Sequence, residues 1–201
     1  MALIYVDISS YNSFRSDALG RASQDLGFDV DGYYGYQCWD LAAELWMNMP
    51  EFVGQGLYPH TGPNLSAEEC WTYSRYINAG DSFDLIYNFS DVKRGDCIVI
   101  SSSPISSTGH IAFADEDYNG SIMMDLLGQN QEYPNFYSGH IPTVTRLDVG
   151  SYFLGAFRNK SWIGGPGPGP EPPTPPHPPF PASTFHHFPW VLIGQKRRMG
   201  N

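Results

Sequence analysis

A chain of 201 residues with 41% apolar residues can bury one good core, and its Pro and Gly are concentrated toward the C-terminal end. The formal net charge of -10, with only 11 Lys and Arg residues, disfavours DNA and RNA as partners, because neutralising phosphates requires a basic face. Cationic substrates and metal ions fit this charge better.

The sequence shows neither a membrane span nor a secretory signal. No apolar run reaches the length of about 18 residues that a spanning helix needs, and residues 1–7 lack the basic start and long apolar stretch of a signal peptide. The three cysteines, Cys38, Cys70 and Cys97, are odd in number and have no framework spacing. At least one thiol therefore stays unpaired within the chain, and a disulfide scaffold is excluded.

The N-terminal part of the chain is patterned for helices. Ser9 or Ser10 can cap a first helix, whose apolar positions continue at helical spacing as far as Leu26 and which Gly27 is predicted to end. A second helix begins near Cys38 and carries apolar residues on one face at spacings of three and four. Cys38 is thus predicted to lie at the start of a helix.

A third helix and a series of strands follow. Ser66 and Glu69 form a capping-box pattern, and the helix that they open is predicted to close at Ala79-Gly80. Segments rich in β-branched and aromatic residues then predict strands at residues 97–101, 110–114, 121–127, 141–147 and 152–157. Because Asn119-Gly120 is a strong hairpin signal, the second and third of these strands should be antiparallel neighbours. Helices first and an antiparallel sheet second predict an α+β domain.

Composition divides the chain into three parts. Residues 1–160 carry the patterns of a globular domain. Residues 161–183 are rich in Pro and Gly and can form neither a helix nor a sheet interior, so they are predicted to be an extended linker. Residues 184–201 form a short tail that is first apolar and then basic.

Cys38 is the candidate nucleophile. A thiolate attacks a carbonyl only if its pKa is lowered, which a helix N-terminus and an imidazolium partner can achieve. The loop before Cys38 is rich in Gly and Tyr, and we expect it to present the sulfur at a cleft. Cys70 and Cys97 lack such a setting and are predicted to be buried structural cysteines.

His110 is the candidate base, because it leads an alternating segment typical of a half-buried strand. A tight hairpin at Asn119-Gly120 sets Gln129 opposite His110, and a loop one residue longer or shorter sets Gly128 or Asn130 there. The amide oxygen of Asn130 could accept the imidazole proton and fix the tautomer. The alternative is a histidine of purely structural role.

The negative oxygen that forms during such an attack needs hydrogen-bond donors. The backbone amide of Cys38 is the natural first donor, and Gln37, which is adjacent in sequence, is a candidate for the second.

The loop before Cys38 also has the spacing of a calcium site. With Asp29 at the first position of an EF-hand-like loop, Asp31, Tyr33, Gly35 and Asp40 fall at the third, fifth, seventh and twelfth, which supply oxygen ligands. The match is partial, because the loop glycine is displaced and Asp40 replaces the usual glutamate. A turn stabilised by Asx hydrogen bonds would explain Asp29 and Asp31 without a metal.

With these residues in place, the chain resembles the CHAP family of cysteine, histidine-dependent amidohydrolases and peptidases, of the type common in phage endolysins. The resemblance spans roughly residues 5–158. Its matching pieces are Asp29-Val30-Asp31-Gly32-Tyr33-Tyr34-Gly35-Tyr36-Gln37-Cys38-Trp39-Asp40, Lys93-Arg94-Gly95-Asp96, Gly109-His110-Ile111-Ala112 and Gly128-Gln129-Asn130-Gln131.

The resemblance implies a papain-like fold and hydrolysis of amide bonds in bacterial peptidoglycan. It implies a nucleophile at Cys38, a base at His110 and an orienting residue at Asn130. It also implies calcium at the acidic loop described above. Many members carry a glutamate where this chain has Gly128, so Asn130, or Asp125 as the second choice, has to fill the third role.

The resemblance leaves several alternatives open. The scissile bond could be that of an N-acetylmuramoyl-L-alanine amidase or of a D-alanyl cross-bridge endopeptidase. A different class is a calcium-binding, cell-wall-binding or virion structural module without activity. The hydrolase would be made without a signal peptide in the host cytoplasm, or packaged in the virion, and would act on the bacterial cell wall. The tail could contact the wall, a membrane surface or a virion protein.

Overall fold

The computed structural model describes residues 6–32, 35–50, 52, 59–62, 66–75, 82–103, 106–131 and 140–162. The chain divides into two units, Met1–Gly167 and Pro168–Asn201, and every described residue belongs to the first. The predicted tail and all but the first two residues of the predicted linker therefore lie outside the described residues. No helix in the described part has the length and apolarity to span a bilayer.

The first helix, α1 (Tyr11–Ala22), begins where the sequence predicted and ends earlier. The Ser10 hydroxyl caps it by accepting a hydrogen bond from the Ser13 amide at 3.1 Å. It ends in a Schellman motif, in which the Leu26 amide bonds back to the Arg21 carbonyl and Asp25 adopts a left-handed φ of 58°. The prediction that the helix continues to Gly27 was wrong, because this turn takes Leu26 out of the helical face and leaves it 40% exposed.

The second helix, α2 (Cys38–Asn48), is confirmed, and it is buried on nearly all sides from Asp40 to Met47. The third, α3 (Glu69–Ser74), begins three residues later than predicted. Of the two hydrogen bonds of the expected capping box, the structure shows the one from the Ser66 amide to the Glu69 carboxylate, at 3.5 Å. Its predicted end at Ala79-Gly80 lies outside the described residues.

Six strands form one antiparallel sheet in the order β1-β6-β2-β3-β4-β5. All five predicted strands are present, and β3 and β4 are antiparallel neighbours as the hairpin signal required. Among the described residues, the one strand that the sequence missed is β1, a four-residue strand at the edge of the sheet. The strands are β1 (Phe83–Ile86), β2 (Cys97–Ile100), β3 (His110–Ala114), β4 (Met123–Gly128), β5 (Thr143–Asp148) and β6 (Phe153–Asn159), with two 3-10 turns at Phe89–Asp91 and Lys160–Trp162.

The helices pack on one face of this sheet around a cluster of aromatic rings. Trp46 of α2 stacks on Phe83 with ring centroids 4.5 Å apart and meets Phe157 edge-on at 5.0 Å. Phe14 of α1 meets Phe113 of β3 edge-on at 5.0 Å. The architecture is therefore α+β, as predicted, and α2 is fixed against the centre of the sheet.

Charged side chains hold the ends of the central strands. Arg15 of α1 forms a forked hydrogen-bonded pair with Asp115, just after β3, at 2.8 to 3.0 Å. Asp96, which precedes β2 and is 1% exposed, pairs with Arg158 of β6 at 2.7 Å. The first pair ties the end of β3, the strand that carries His110, to α1, and the second ties the start of β2 to β6.

Candidate functional site

Cys38 lies at the first residue of α2, where the helix meets β3. The backbone amide of Ile111 lies close enough to the Cys38 sulfur to act on its pKa, and Ile111 directly follows His110. Cys38 is partly exposed, whereas Cys70 and Cys97 are fully buried. The fold thus brings the predicted nucleophile to the start of the strand that begins with the predicted base.

The Cys38 thiol is protonated at neutral pH in this structure. Burial raises its pKa to about 11; the Ile111 amide acts in the opposite direction, and the charge of Asp40 raises the pKa further. The sequence predicted a lowered pKa from the helix start. The observed direction differs because removing the sulfur from water disfavours the thiolate more than the nearby backbone amides favour it.

His110 is 2% exposed and is a neutral imidazole in this setting. Burial lowers its pKa to about 4, and a hydrogen bond with Gln131 opposes that shift. Its Nε2 atom lies 3.3 Å from Oε1 of Gln131. The thiol and the imidazole are therefore both uncharged at rest.

The side chain that meets His110 is Gln131, where the sequence predicted Asn130. Asn130 has a left-handed φ of 53° just beyond the end of β4, and its Nδ2 donates to Oε1 of Gln37 at 3.0 Å. This turn directs Asn130 to the start of α2 and brings Gln131 back to the histidine ring. Asp125, the second choice, pairs with Arg146 at 3.0 Å. Nothing in the strand pattern identified Gln131, because the backbone turn after β4 decides which residue returns.

Gln129 ties the end of β4 to the loop that carries the cysteine. It is fully buried, its Oε1 accepts from the Phe28 amide at 2.6 Å, and its Nε2 donates to the carbonyls of Phe28 and Gln37. Gln37, the predicted oxyanion donor, is held both by this bond and by Asn130. Its backbone amide donates to Asp40 at 2.8 Å, so the backbone N–H of Gln37 is not the second oxyanion donor.

The three predicted acidic calcium ligands come together. Asp29, Asp31 and Asp40 each offer a carboxylate oxygen, and these oxygens lie within 4.8 Å of one another. Asp40 is 1% exposed, and burial raises its pKa to about 7; backbone amides oppose this, while the charges of Asp31 and Asp29 add to it. Such a set of hard oxygen donors with excess negative charge fits Ca²⁺.

The loop also contains features that do not need a metal. Asp40 accepts hydrogen bonds from the amides of Val30 and Gln37, both at 2.8 Å, and Asp29 accepts one from the Gly32 amide at 2.9 Å. The last is the Asx-type turn that the sequence allowed. Gly35 has a φ of 67°, which favours glycine, and Tyr33 lies outside the described residues.

Several solved structures resemble this one. The wild-type endolysin LysIME-EF1 matches with a TM-score of 0.53 and 19% sequence identity, over 75% of this chain and 64% of that one. The chain has an endolysin-like α+β fold. Ly7917 matches with a TM-score of 0.52 and 16% identity, over 75% of this chain and 62% of that one. A second Ly7917 structure, with the hydrolyzing product of MDP, gives a TM-score of 0.50 at 13% identity.

The chain spans less than two thirds of the length of those proteins, so the likeness concerns the fold of one region. It matches no protein-family model, and no curated protein sequence is significantly similar to it. What the site does must therefore be argued from its own residues.

Proposed function

We propose that the protein is a peptidoglycan hydrolase, an endolysin or virion-associated lysin, that cleaves amide bonds with Cys38 as nucleophile and His110 as base. The observation that carries the proposal is the packing of α2 against β3, which sets the Cys38 sulfur near the backbone amide of Ile111, the residue after His110. The fold shared with the endolysin LysIME-EF1 supports the substrate class.

Because the thiol and the imidazole are both neutral at rest, the thiol has to lose its proton as it attacks. As the Cys38 sulfur attacks the amide carbonyl, its proton passes to a ring nitrogen of His110, and the carbonyl oxygen becomes negative. The intermediate collapses to a thioester, and the amine leaves with the proton from His110. His110 then takes a proton from water, whose oxygen attacks the thioester; the acid is released and the thiol is restored.

The negative oxygen of each intermediate needs donors at the start of α2. The backbone amide of Cys38 is the first, and the side-chain amide of Gln37 is the second in this proposal. Asn130 fixes the other end of that amide group, since its Nδ2 donates to Oε1 of Gln37. The Gln37 amide is thereby oriented before substrate arrives.

Digestion of purified peptidoglycan tests the proposal. A muramoyl amidase separates the stem peptide from the glycan and exposes an L-alanine amine, whereas an endopeptidase exposes an amine within the cross-bridge. Mass spectrometry of the products distinguishes the two. Wall binding without the release of any new amine would contradict the proposal and favour a calcium-binding or virion structural module.

We propose that Asp29, Asp31 and Asp40 hold Ca²⁺, with Tyr33 and Gly35 contributing. A bound cation would tie the loop to the start of α2 and neutralise the acidic group. We expect EDTA to lower the melting temperature and added Ca²⁺ to restore it. At a hundredfold excess of Ca²⁺ over Kd, binding should raise the free energy of unfolding by about 2.7 kcal/mol. Asp31→Asn is the matched variant, because it removes one charge from the cluster. An unchanged melting temperature in EDTA would favour the plain turn.

The pH dependence of kcat/KM should report the buried base. Only neutral His110 can accept the thiol proton, and its pKa of about 4 keeps it neutral well below the ordinary histidine pKa of about 6.5. We therefore expect kcat/KM, measured on a soluble stem-peptide substrate, to stay constant on the acid side until the pH drops below about 5. An acid limb centred near pH 6.5 would show that the base is solvated.

A further inference from the structure

The amide of Gln131 can be oriented without ambiguity from its own hydrogen bonds. Gln131 is 3% exposed, and its Nε2 donates to the carbonyls of Leu126 and Thr143, both at 3.0 Å. A carbonyl oxygen only accepts, so the NH₂ group must face these two atoms and Oε1 must face His110. Both amide protons are thereby used.

This orientation determines the protonation of the ring. Oε1 of Gln131 is an acceptor only, so Nε2 of His110 has to carry the proton that it donates across 3.3 Å. In a neutral imidazole the other nitrogen, Nδ1, is then unprotonated and can act as a base.

The space for this amide exists because residue 128 is glycine. A Cβ atom on Gly128 would lie 2.6 Å from Oε1 of Gln131, 2.7 Å from its Cδ and 2.9 Å from Cβ of Ala112. The amide is held by three hydrogen bonds and is not the free end of a flexible chain, so it cannot move away at low cost. Gly128 and Gln131 are therefore coupled: the glycine leaves open the space that the Gln131 amide fills.

We propose that Gln131 is the positioning residue of His110, made possible by Gly128, and that it holds the ring in the Nε2-protonated tautomer. Its catalytic consequence rests on the proposed function, in which Nδ1 takes the proton of Cys38. In this proposal Gln131 takes the role that the sequence gave to Asn130. The Nδ2 atom of Asn130 donates to Gln37.

The ring tautomer can be measured without any substrate. In ¹⁵N-labelled protein, two-bond ¹H–¹⁵N correlations of the histidine side chains should show His110 as the Nε2–H form, with the signals assigned by His110→Gln. Gln131→Leu should convert it to the Nδ1–H form or a mixture. Asn130→Gly is the matched control: glycine accepts the left-handed backbone, and the His110 signals should not change. An Nδ1–H form in the wild type, or an Nε2–H form unchanged by Gln131→Leu, would overturn the inference.

Gly128 supplies a second test that keeps Gln131 intact. Gly128→Ala should displace the amide and change the His110 signals as Gln131→Leu does, whereas a subsequent Gln131→Ala change should add little. Independent, additive effects of the two positions on the His110 signals would contradict this coupling between Gly128 and Gln131.

Kinetics separate this inference from the proposed function. Gln131→Leu should lower kcat about 10- to 100-fold, the range found for partners that orient metal-bound histidines, with KM within about twofold. If the wild type cleaves peptidoglycan and Gln131→Leu retains full kcat, the inference fails and the function stands. If the wild type cleaves nothing while the tautomer depends on Gln131, the function fails and the positioning role stands.

Discussion

Replacing Cys38 with alanine is expected to lower peptidoglycan hydrolysis by about 10⁴-fold or more, because the thioester cannot form without the sulfur. Cys38→Ser should be nearly as inactive, although its hydroxyl keeps a similar shape and polarity. Release of new amines from purified peptidoglycan is the measurement, with the melting temperature as the check on folding.

Cys97→Ala is the matched control for this substitution. Cys97 is a second free cysteine, fully buried in β2 and outside the candidate site, so its removal should cost stability and leave hydrolysis within about twofold. A Cys38→Ala protein that released amines at the wild-type rate would remove the nucleophile from the proposal. Inactive Cys97→Ala protein with a normal melting temperature would show that the assay does not report Cys38 chemistry alone.

Local patterns predicted most of the fold. The segments that became β2 to β6 are short apolar runs bounded by turn residues, and the Asn119-Gly120 signal identified neighbouring strands. The start of α1 followed from the Ser10 cap, but its end did not, since an aspartate at position 25 adopts the backbone conformation that Gly27 was expected to supply. A helix end depends on a single residue's backbone conformation, and Asp is a weaker signal than Gly.

The sequence predicted the positions of Cys38 and His110 in the fold, but it did not predict the directions of their pKa shifts. The sequence placed Cys38 at a helix start and His110 at a strand start, and the structure brings the two elements together. The pKa directions could not be predicted, because they depend on how much water the final packing removes. Which side chain meets His110 could not be predicted either. It depends on the left-handed backbone of Asn130 after β4, which brings Gln131 to the histidine ring.

Asp40 should be the most costly residue to lose from the acidic loop, for reasons separate from any metal. Its carboxylate is buried and accepts hydrogen bonds from the Val30 and Gln37 amides, one on each side of the loop that precedes Cys38. Asp40→Ala leaves both donors without a partner, at about 1–3 kcal/mol each. We expect the free energy of unfolding in urea, measured in EDTA, to fall by about 2–6 kcal/mol.

Asp29→Ala is the comparison that separates this structural role from the calcium role. Asp29 is exposed and accepts one local hydrogen bond from Gly32, so in EDTA its loss should cost only about 0.5–1 kcal/mol. Both variants should lose the stabilisation by Ca²⁺, because each removes a carboxylate from the same cluster. If Asp40→Ala were as stable as the wild type in EDTA, the two amides would have other partners, and the loop would owe its conformation to something other than the buried carboxylate at the start of α2.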